Sequence, residues 1–293
     1  MSGLKRIGLF LATNLLVVIV ISVIMSFLGL DSASYTGLLV MCLLFGMVGS
    51  FISLSISKWV AKISYKIQVI DPNTAQGKIL HLHRTISQMA AYKGIQCPEV
   101  GVYASREVNA FATGASKNSA LIAVSSALLD ALNEDELAAV AAHEFSHIEN
   151  GDMLTMTLLT GVANTFVMFF ARILAFAISN AMRGDRKGGL GVMGYWMMII
   201  LLENVLMLLA YIPVCYFSRW REYRADAGAA ALTHPNSMIA ALEKIDRNYF
   251  PEQKKDSYAL AKINNRHRAS LYASHPSIPQ RIERLKHTSV VNR

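Results

Sequence analysis

The stretch His143-Glu144-Phe145-Ser146-His147 is a His-Glu-x-x-His motif, and it stands just before a long apolar segment. On a helix, residues four apart lie on one face about one turn from each other, so both imidazoles can reach a single metal ion. Glu144 follows the first histidine and can point at a water molecule bound to the metal. The spacing predicts zinc and a hydrolytic reaction, and the apolar segment predicts that this reaction takes place at a membrane.

The sequence also predicts where the helix that carries the motif begins and ends. Asn133 is a good N-cap, and Glu136 stands three residues later, where it closes a capping box. The helix then runs from Glu134 to about Glu149 and ends at an Asn-Gly pair. The residues between the capping box and the first histidine are apolar. This argues against a solvated helix face, which is the alternative explanation of two histidines four apart.

The composition places much of the chain in lipid. Of its 293 residues, 53% are hydrophobic and only 16% are charged, whereas soluble proteins carry about 25% charged residues. The net charge is +8, and many basic residues flank apolar segments, which favours an anionic membrane surface as their partner. No Lys/Arg-rich run is interleaved with aromatic residues, so nucleic-acid binding is not predicted. The three cysteines form no disulfide framework, which fits a reducing compartment.

Four apolar segments each have roughly the 20 residues that a helix needs to cross a bilayer. They lie at 7–29, 37–56, about 153–178 and about 192–217. The first resembles a signal peptide, but it is longer than the apolar core of one and lacks a small-residue cleavage pattern, so we interpret it as a retained anchor. Basic residues before the first segment and after the second place both ends of this hairpin in the cytoplasm.

This pattern predicts an α-helical membrane protein whose metalloprotease domain is α+β and lies in the cytoplasm. A transmembrane hairpin (1–57) precedes the first half of the catalytic domain (58–152), and a second hairpin (153–217) precedes the second half (218–293). The first half reads as a helix at 74–93, strands at 99–103 and 120–125, and an extended segment at 108–114. The second half reads as helices at about 219–232, 236–248 and 278–286.

Two features concern the second hairpin. Its loop holds three basic residues against one acid, which goes against the usual charge bias of an outer loop. Arg172 and Glu203 lie inside the two segments, at matching distances from that loop. Charges at membrane depth normally face protein or water, so we expect these two side chains to pair. The alternative is that one or both lie at a wet interface.

A catalytic zinc site needs three protein ligands and an open position for water, so the third ligand must come from elsewhere. The candidates are a carboxylate or one of the other histidines, His81, His83, His234, His267, His275 and His287. Glu222 and Asp226 form the best pair, because they are four apart on a predicted helix. Glu222 can bind zinc, and Asp226 can accept a hydrogen bond from the far nitrogen of a ligating histidine. The alternative is that Glu222 only neutralises Arg219 or Arg221 on an exposed face.

The small residues at 227–231 also favour a third ligand from this helix. Alanine and glycine would let this helix approach the Ala-rich helix that carries His143 and His147 (the metal helix) closely, as a shared metal ion requires.

Four motifs carry a resemblance to a known family. They are His-Glu-Phe-Ser-His-Ile-Glu-Asn-Gly-Asp at 143–152, Asn-Ala-Phe-Ala-Thr-Gly at 109–114, Arg-Glu-Tyr-Arg-Ala-Asp at 221–226 and Ser-His-Pro at 274–276. Together they resemble the HtpX family of bacterial inner-membrane zinc metalloproteases, which is related to the CaaX prenyl proteases. The likeness covers essentially the whole chain.

The resemblance implies a gluzincin-like site that holds one Zn²⁺ ion per chain. His143, His147 and Glu222 would be its ligands, Glu144 its general base, and Asp226 a support behind a ligand. The resemblance also implies proteolysis of membrane proteins in stress-related protein quality control. Membrane-protein substrates and the lipid bilayer are therefore the expected partners.

Three further residues are candidates for substrate contacts. The resemblance places the Ser-His-Pro motif near the cleft, so His275 is a candidate donor to the oxyanion, or simply a histidine at a helix start. Arg281 can help as a donor or can form a salt bridge. Asn109 can lie on an edge strand that binds the substrate backbone, or it can form a turn.

Two other functions compete with an endopeptidase. A membrane-anchored scaffold would use zinc structurally, but structural sites are usually closed by four ligands, often cysteines, and no Cys-x-x-Cys occurs here. A transporter would explain charges within the membrane, but two such charges and no obvious repeat argue against it.

Overall fold

The computed structural model describes residues 34–183, 191–249 and 273–291, together with the helical positions Ile19 and Val23. The apolar segment at 7–29 lies outside the described residues apart from those two positions, as do most of the basic loop before residue 191 and the candidate ligand His267. The described residues form two compact units. One contains those up to Ser53 with Met156–Val214, and the other contains Leu54–Thr155 with those from Cys215 onward.

The elements of secondary structure follow one another along the chain. They are α1 (Tyr35–Tyr65), β1 (Gln68–Val69), α2 (Gly77–Lys93), β2 (Glu99–Tyr103), β3 (Ala110–Ser116), β4 (Ser119–Ser125), α3 (Ser126–Ala131), α4 (Glu134–Asn150), α5 (Asp152–Arg183), α6 (Gly191–Leu232), α7 (Pro235–Tyr249) and α8 (Ile278–Val291).

Three helices of the described part, α1, α5 and α6, are long and apolar enough to cross a membrane. In α6 the structure corrects the sequence-based prediction, because one continuous helix replaces an apolar segment ending near 217 and a separate helix from 219. The sequence changes from apolar to basic at Arg219, so the surroundings of the helix change there. No glycine or proline at this point ends the helix. Pro213 lies inside the helix.

In the unit that contains the residues up to Ser53 and Met156–Val214, α1 and α5 pack through glycines. A Cβ atom added to Gly46 would lie 2.7 Å from the carbonyl oxygen of Gly161, so no side chain fits between the two backbones there. Small residues of this kind allow close packing of helices in a membrane.

The predicted pairing of the two intramembrane charges is confirmed. Arg172 of α5 donates a hydrogen bond from Nη1 to Oε1 of Glu203 on α6 at 2.8 Å. The same nitrogen also donates to the carbonyl oxygen of Met168. Each charge therefore has a partner within the protein, as burial away from water requires.

The unit that contains Leu54–Thr155 and the residues from Cys215 onward is called the second unit. Its β part is a four-stranded sheet with the order β1-β2-β4-β3. Strands β2 and β4 are parallel, whereas β1 and β3 each run antiparallel to their neighbours. The strands predicted from Val- and Ile-rich runs are confirmed. The β3–β4 hairpin closes between Ser116 and Ser119, with an irregularity between Gly114 and Ser116. The order leaves β3 at one edge of the described sheet.

Helix α2, between β1 and β2, starts later than the sequence predicted, at Gly77 instead of 74. Asp71 explains the delay, because its side chain accepts from the backbone N–H of Asn73 and its carbonyl accepts from those of Thr74 and Ala75. This turn uses backbone groups that the helix would otherwise bond. The helix ends as predicted, with Gly94 in the left-handed region at φ 63.

The metal helix α4 lies in the core of the second unit. Its capping box is present as predicted: Asn133 accepts from the backbone of Glu136, and Glu136 accepts from the backbone of Asn133. Gly151 ends the helix in the left-handed region at φ 69. The helix packs against α2, α7 and β3, and Leu137 and Phe145 are fully buried. The motif therefore stands on a rigid element.

Glu99 at the start of β2 ties the sheet to the end of α1. Lys58 lies 2.9 Å from its carboxylate, and Lys62 pairs with its other oxygen. Burial raises the pKa of Glu99, but the two ammonium groups outweigh burial and hold the pKa below its usual value.

The lowered pKa gives a pH-dependent contribution to stability. Because the folded-state pKa lies below the unfolded value, the contribution is present above pH of about 4.5 and is lost as pH falls through the folded-state pKa. We expect Glu99→Gln to lower the thermal midpoint at pH 7 and to have little effect at pH 3. The exposed Glu107 offers the matched control Glu107→Gln. An equal loss at both pH values in Glu99→Gln would contradict the ion-pair account.

Candidate metal centre

Two helices bring three candidate ligands together. His143 and His147 come from α4 and Glu222 comes from α6, and one donor atom of each lies within 4.8 Å of the others. All three side chains are almost wholly buried. His81, His83, His234, His275 and His287, the other candidates in the described part of the chain, do not belong to this group.

The small residues of α6 allow the two helices to approach each other. A Cβ atom added to Gly228 would lie 2.4 Å from Oγ of Ser146 on α4, so the contact needs glycine at this position. The Ser146 hydroxyl turns back onto its own helix and donates to the carbonyl oxygen of Ala142. The close approach predicted from residues 227–231 is thus present, one to two turns after Glu222.

The distances between the donors suit a shared metal ion. Nε2 of His143 lies 3.5 Å from one oxygen of Glu222, and Nε2 of His147 lies 3.4 Å from the other. Ligands bound tetrahedrally to zinc at about 2.0–2.1 Å lie about 3.4 Å from one another. Oε1 of Glu222 is buried and has no hydrogen-bond partner among the described residues. An ordered water or an ion satisfies a buried carboxylate oxygen of this kind, and two imidazole nitrogens at these distances favour an ion, so the residues present fit a metal.

A carboxylate stands behind each histidine. Oδ1 of Asp226 lies 3.0 Å from Nδ1 of His143, as the spacing on α6 predicted. Oδ2 of Asp152 lies 2.7 Å from Nδ1 of His147. Such partners fix the ring orientation and direct Nε2 toward the metal, although Nη2 of Arg281 also lies 3.4 Å from Nε2 of His143. Sequence reasoning missed Asp152, although its position directly after the glycine that ends the metal helix is a signal.

An arginine in turn holds each carboxylate. Arg281 of α8 binds both oxygens of Asp226, at 2.6 and 2.8 Å. Arg224 of α6 pairs with the second oxygen of Asp152, which is fully buried. Each histidine is therefore the first member of a chain that runs from imidazole to carboxylate to guanidinium. The Arg281–Asp226 pair is bidentate, and such pairs fix geometry as well as charge.

The surroundings of His147 stabilise positive charge. Burial lowers the pKa of this imidazole, but its contacts with Asp152 and Glu222 outweigh burial and raise the pKa to about 9. An environment that stabilises an imidazolium also stabilises a metal cation, because the same two carboxylates supply the field.

The structure places the other predicted residues as follows. Glu144 is half-buried, and its charge contributes to the raised pKa of His147 and of Tyr103, so it faces the site. His275 lies at the rim, with 60% of its side chain exposed and Nδ1 3.1 Å from Glu222. Arg281 forms the salt bridge that the sequence allowed as an alternative, and only 12% of its side chain is exposed. Asn109 is exposed and directly precedes β3.

Fold and site together define a membrane metalloendopeptidase with a His-Glu-x-x-His helix and a glutamate from a second helix. The chain belongs to peptidase family M48, whose family model matches residues 78–289.

Three curated relatives show how far the similarity extends. Protease HtpX of Aeromonas hydrophila is 47% identical over 291 residues, which cover 97% of this chain and 100% of the relative. Protease HtpX of Stenotrophomonas maltophilia is 46% identical over 97% of this chain. A protein named Protease HtpX homolog from Desulfotalea psychrophila is 45% identical over 96% of it. The predicted membership of the HtpX family is confirmed.

The fold also resembles a solved structure. The crystal structure of S. mikatae Ste24p superimposes with a TM-score of 0.67 at 18% sequence identity, and the match covers 96% of this chain. It covers 64% of that protein, so this chain spans just under two thirds of its length.

The role of Asp152 can be tested by Asp152→Asn, which keeps the side-chain shape and removes the charge. We expect metal affinity and turnover to fall about 10- to 100-fold, the usual loss when a partner behind a ligand is removed. Asp130→Asn on α3 makes the same chemical change at an exposed position and should leave both unchanged. Metal competition with a fluorescent chelator measures the affinity. Wild-type affinity in Asp152→Asn would show that the contact does not support His147.

Proposed function

We propose that this protein is a zinc endopeptidase that cuts membrane proteins, chiefly misfolded ones, in stress-related quality control in a bacterial inner membrane. The observation that carries the proposal is the convergence of His143, His147 and Glu222 on one point. Two imidazole nitrogens and one carboxylate suit Zn²⁺, and three protein ligands leave a position open for water. We assign one Zn²⁺ to each chain.

Glu144 is assigned the proton transfers of the reaction. When bound, zinc polarises the peptide carbonyl and activates a water molecule. Glu144 accepts a proton from the attacking water and delivers it to the leaving amine nitrogen. Its neighbour His143 on the same helix is held by Asp226, and His147 is held by Asp152. Glu144 therefore acts from a helix whose two histidines are held in place.

The rim of the site supplies the proposed substrate contacts. His275 is largely exposed and its Nδ1 lies 3.1 Å from Glu222, so we assign this ring at the rim as a donor to the oxyanion of the substrate. The backbone of Asn109 is bonded to Ser125 in β4, whereas its side chain is exposed. Since β3 has one strand neighbour in the described sheet, we assign its other edge to an extended peptide. For Arg281, the salt bridge favours positioning of Asp226, and direct substrate binding stays a prediction.

The membrane arrangement extends this proposal. We infer four spanning segments, of which the first lies at 7–29, and a gluzincin-like catalytic domain made of 58–152 and 218–293. Both halves are assigned to the cytoplasm because Lys58 and Lys62 follow the second apolar segment. The transmembrane hairpins 1–57 and 153–217 would keep the site near substrates in the bilayer.

The competing function is a membrane-anchored scaffold that holds zinc structurally. Among the described residues, the metal-binding group has three members and no cysteine, which favours an open, catalytic site.

Proteolysis in a bilayer separates these functions. The zinc-loaded protein is placed in liposomes with a heat-labile membrane protein or with a thermostable variant of it. We expect fragments chiefly from the labile substrate, loss of fragments with a chelator, and recovery when zinc is restored. Stoichiometric zinc without fragments from either substrate would support the scaffold and contradict the peptidase.

A further inference from the structure

The apolar part of α6 carries an exposed amide at its middle. Asn204 lies at the centre of the apolar run at 192–217, about 18–20 Å along the helix axis from either end. The residue is exposed, and its Nδ2 donates a hydrogen bond to the carbonyl oxygen of Ile200 at 2.7 Å. In the described part of the chain, the amide has no other partner. At this depth of a spanning helix there is no water, so the second N–H and the carbonyl oxygen of the amide need a partner.

The neighbouring Glu203 does not leave the same need. Its carboxylate lies 2.8 Å from Nη1 of Arg172 on α5, so the two charges neutralise each other within the hairpin. Asn204 stands one residue further along α6, which turns its side chain about 100° around the helix axis from that of Glu203. The two polar residues therefore point in different directions, and the partner of Asn204 must come from outside the described helices.

The exposed residues around Asn204 form a stripe with the spacing of a coiled coil. Its members, which we call the Asn204 stripe, follow one another at intervals of four, three, four and three residues: Met197, Leu201, Asn204, Leu208 and Tyr211. The four apolar members each expose between 46% and 64% of their surface. This spacing keeps a seam on one face of two helices that cross at about 20°, the common geometry of helix pairs in membranes. The stripe therefore suits a second helix.

A single polar residue in such a seam also selects the partner. In coiled coils, one asparagine among apolar seam residues fixes the register and the number of helices. The amide of Asn204 offers both a donor and an acceptor, so it is complementary to another amide. In a two-fold dimer whose axis is normal to the membrane, every residue lies at the same depth in both copies. Asn204 of one copy then meets Asn204 of the other, whereas different substrate helices share no polar group at this depth.

We propose that α6 pairs with α6 of a second copy of this chain, in a parallel two-fold dimer along the Asn204 stripe. The two Asn204 side chains exchange N–H···O hydrogen bonds at the middle of the bilayer. Leu201 and Leu208 pack one turn above and below them. The dimer joins the spanning helices and needs neither the metal nor a substrate.

The test measures energy transfer between copies of the full-length chain in liposomes. One population carries a donor fluorophore at its C-terminus and the other carries an acceptor, and the ratio of protein to lipid is varied. We expect energy transfer that saturates as this ratio rises and that an excess of unlabelled wild type abolishes. No metal or substrate is present, so a negative result here leaves the proposed peptidase activity untouched.

Asn204→Leu is the variant that tests the amide. Half-maximal energy transfer should require about a ten-fold higher ratio of protein to lipid, as expected for the loss of interhelical hydrogen bonds in a membrane. Asn204→Gln keeps an amide and should restore most of the association. Asn180→Leu makes the same chemical change at an exposed position of α5 and should have no effect. Because leucine enters lipid more readily than asparagine, failed insertion does not explain a loss of association.

Crosslinking provides a second measurement, which reports the face of α6. Leu201 and Leu209 are both 60% exposed, but Leu209 lies on a different side of the helix from the stripe. After mild oxidation in liposomes, Leu201→Cys should give a disulfide-linked dimer and Leu209→Cys should not. The wild type, whose three cysteines are buried or half-buried, gives the background.

Three outcomes would overturn the proposal. Energy transfer no greater than random proximity produces would show that the copies do not associate. Equal crosslinking through positions 201 and 209 would show that α6 has no preferred face. Unchanged association of Asn204→Leu would exclude the amide, and if this variant also cleaved a membrane substrate more slowly, the stripe would belong to a spanning segment of the substrate instead.

Discussion

Replacement of Glu144 by glutamine is expected to leave the metal bound and to lower peptide hydrolysis about 10²- to 10⁴-fold, the usual contribution of a general acid–base group. Glutamine has nearly the same size but cannot accept the proton of the attacking water. His143, His147 and Glu222 are unchanged in this variant, so one Zn²⁺ per chain should still be found by elemental analysis. Turnover is measured as fragments released per unit time from the heat-labile membrane substrate.

Glu149→Gln is the matched control for this experiment. Glu149 lies on the same helix but pairs with Lys93 at 2.8 Å, so its loss changes the charge of the helix without touching the site. It should retain wild-type turnover. Undiminished cleavage by Glu144→Gln would refute the assignment of Glu144 as the base, and loss of zinc in this variant would show that Glu144 also serves the metal.

Replacement of Glu222 by glutamine is expected to release the metal and to abolish cleavage. The loss of affinity should exceed the 10- to 100-fold that partners behind a ligand produce, since a direct ligand and its charge are removed. The neutral amide also leaves two buried imidazoles facing a hydrogen-bond donor. Zinc content after dialysis and affinity by chelator competition measure the effect.

Glu243→Gln on α7 provides the control, because Glu243 pairs with Arg247 at an exposed position. Full zinc content in Glu222→Gln would contradict the proposed ligand set. It would direct attention to His275, whose Nδ1 lies 3.1 Å from Glu222. Wild-type turnover with reduced zinc content would separate catalysis from this metal site.

The metal helix is predictable from the sequence because its signals are local. The capping box of Asn133 and Glu136 and the left-handed glycine at 151 act within one or two turns of chain. The spacing of Glu222 and Asp226 is local in the same way, and both side chains point into the centre as expected. The charge pair of Arg172 and Glu203 follows from equal depth in a hairpin.

The contact of Asp152 with His147 could not be predicted from residue spacing along a helix. Asp152 stands five residues after His147, and in an uninterrupted helix that spacing does not place two side chains together. The left-handed backbone of Gly151 turns the chain so that Asp152 starts a new helix and its carboxylate reaches the imidazole. The geometry of a helix break depends on backbone angles that spacing does not encode.

Contacts between residues far apart in the sequence are also not predictable from local patterns. Arg281 stands 55 residues after Asp226, and their contact depends on how α8 packs in the second unit. The continuity of α6 was missed for a related reason. Polarity changes at Arg219 because the surroundings of the helix change, whereas a pattern of hydrophobicity marks such a change as a boundary.

The most direct test of the account is a zinc titration of the metal-free, full-length protein in lipid nanodiscs. Bound zinc and fragments released from an unfolded substrate are measured in the same samples, for the wild type and for Glu144→Gln. The expected result is that binding saturates at one zinc per chain in both proteins, and that cleavage rises in parallel with bound zinc in the wild type alone. Cleavage without zinc, a requirement for a second zinc ion, or equal cleavage by Glu144→Gln would contradict a single catalytic centre built from His143, His147 and Glu222.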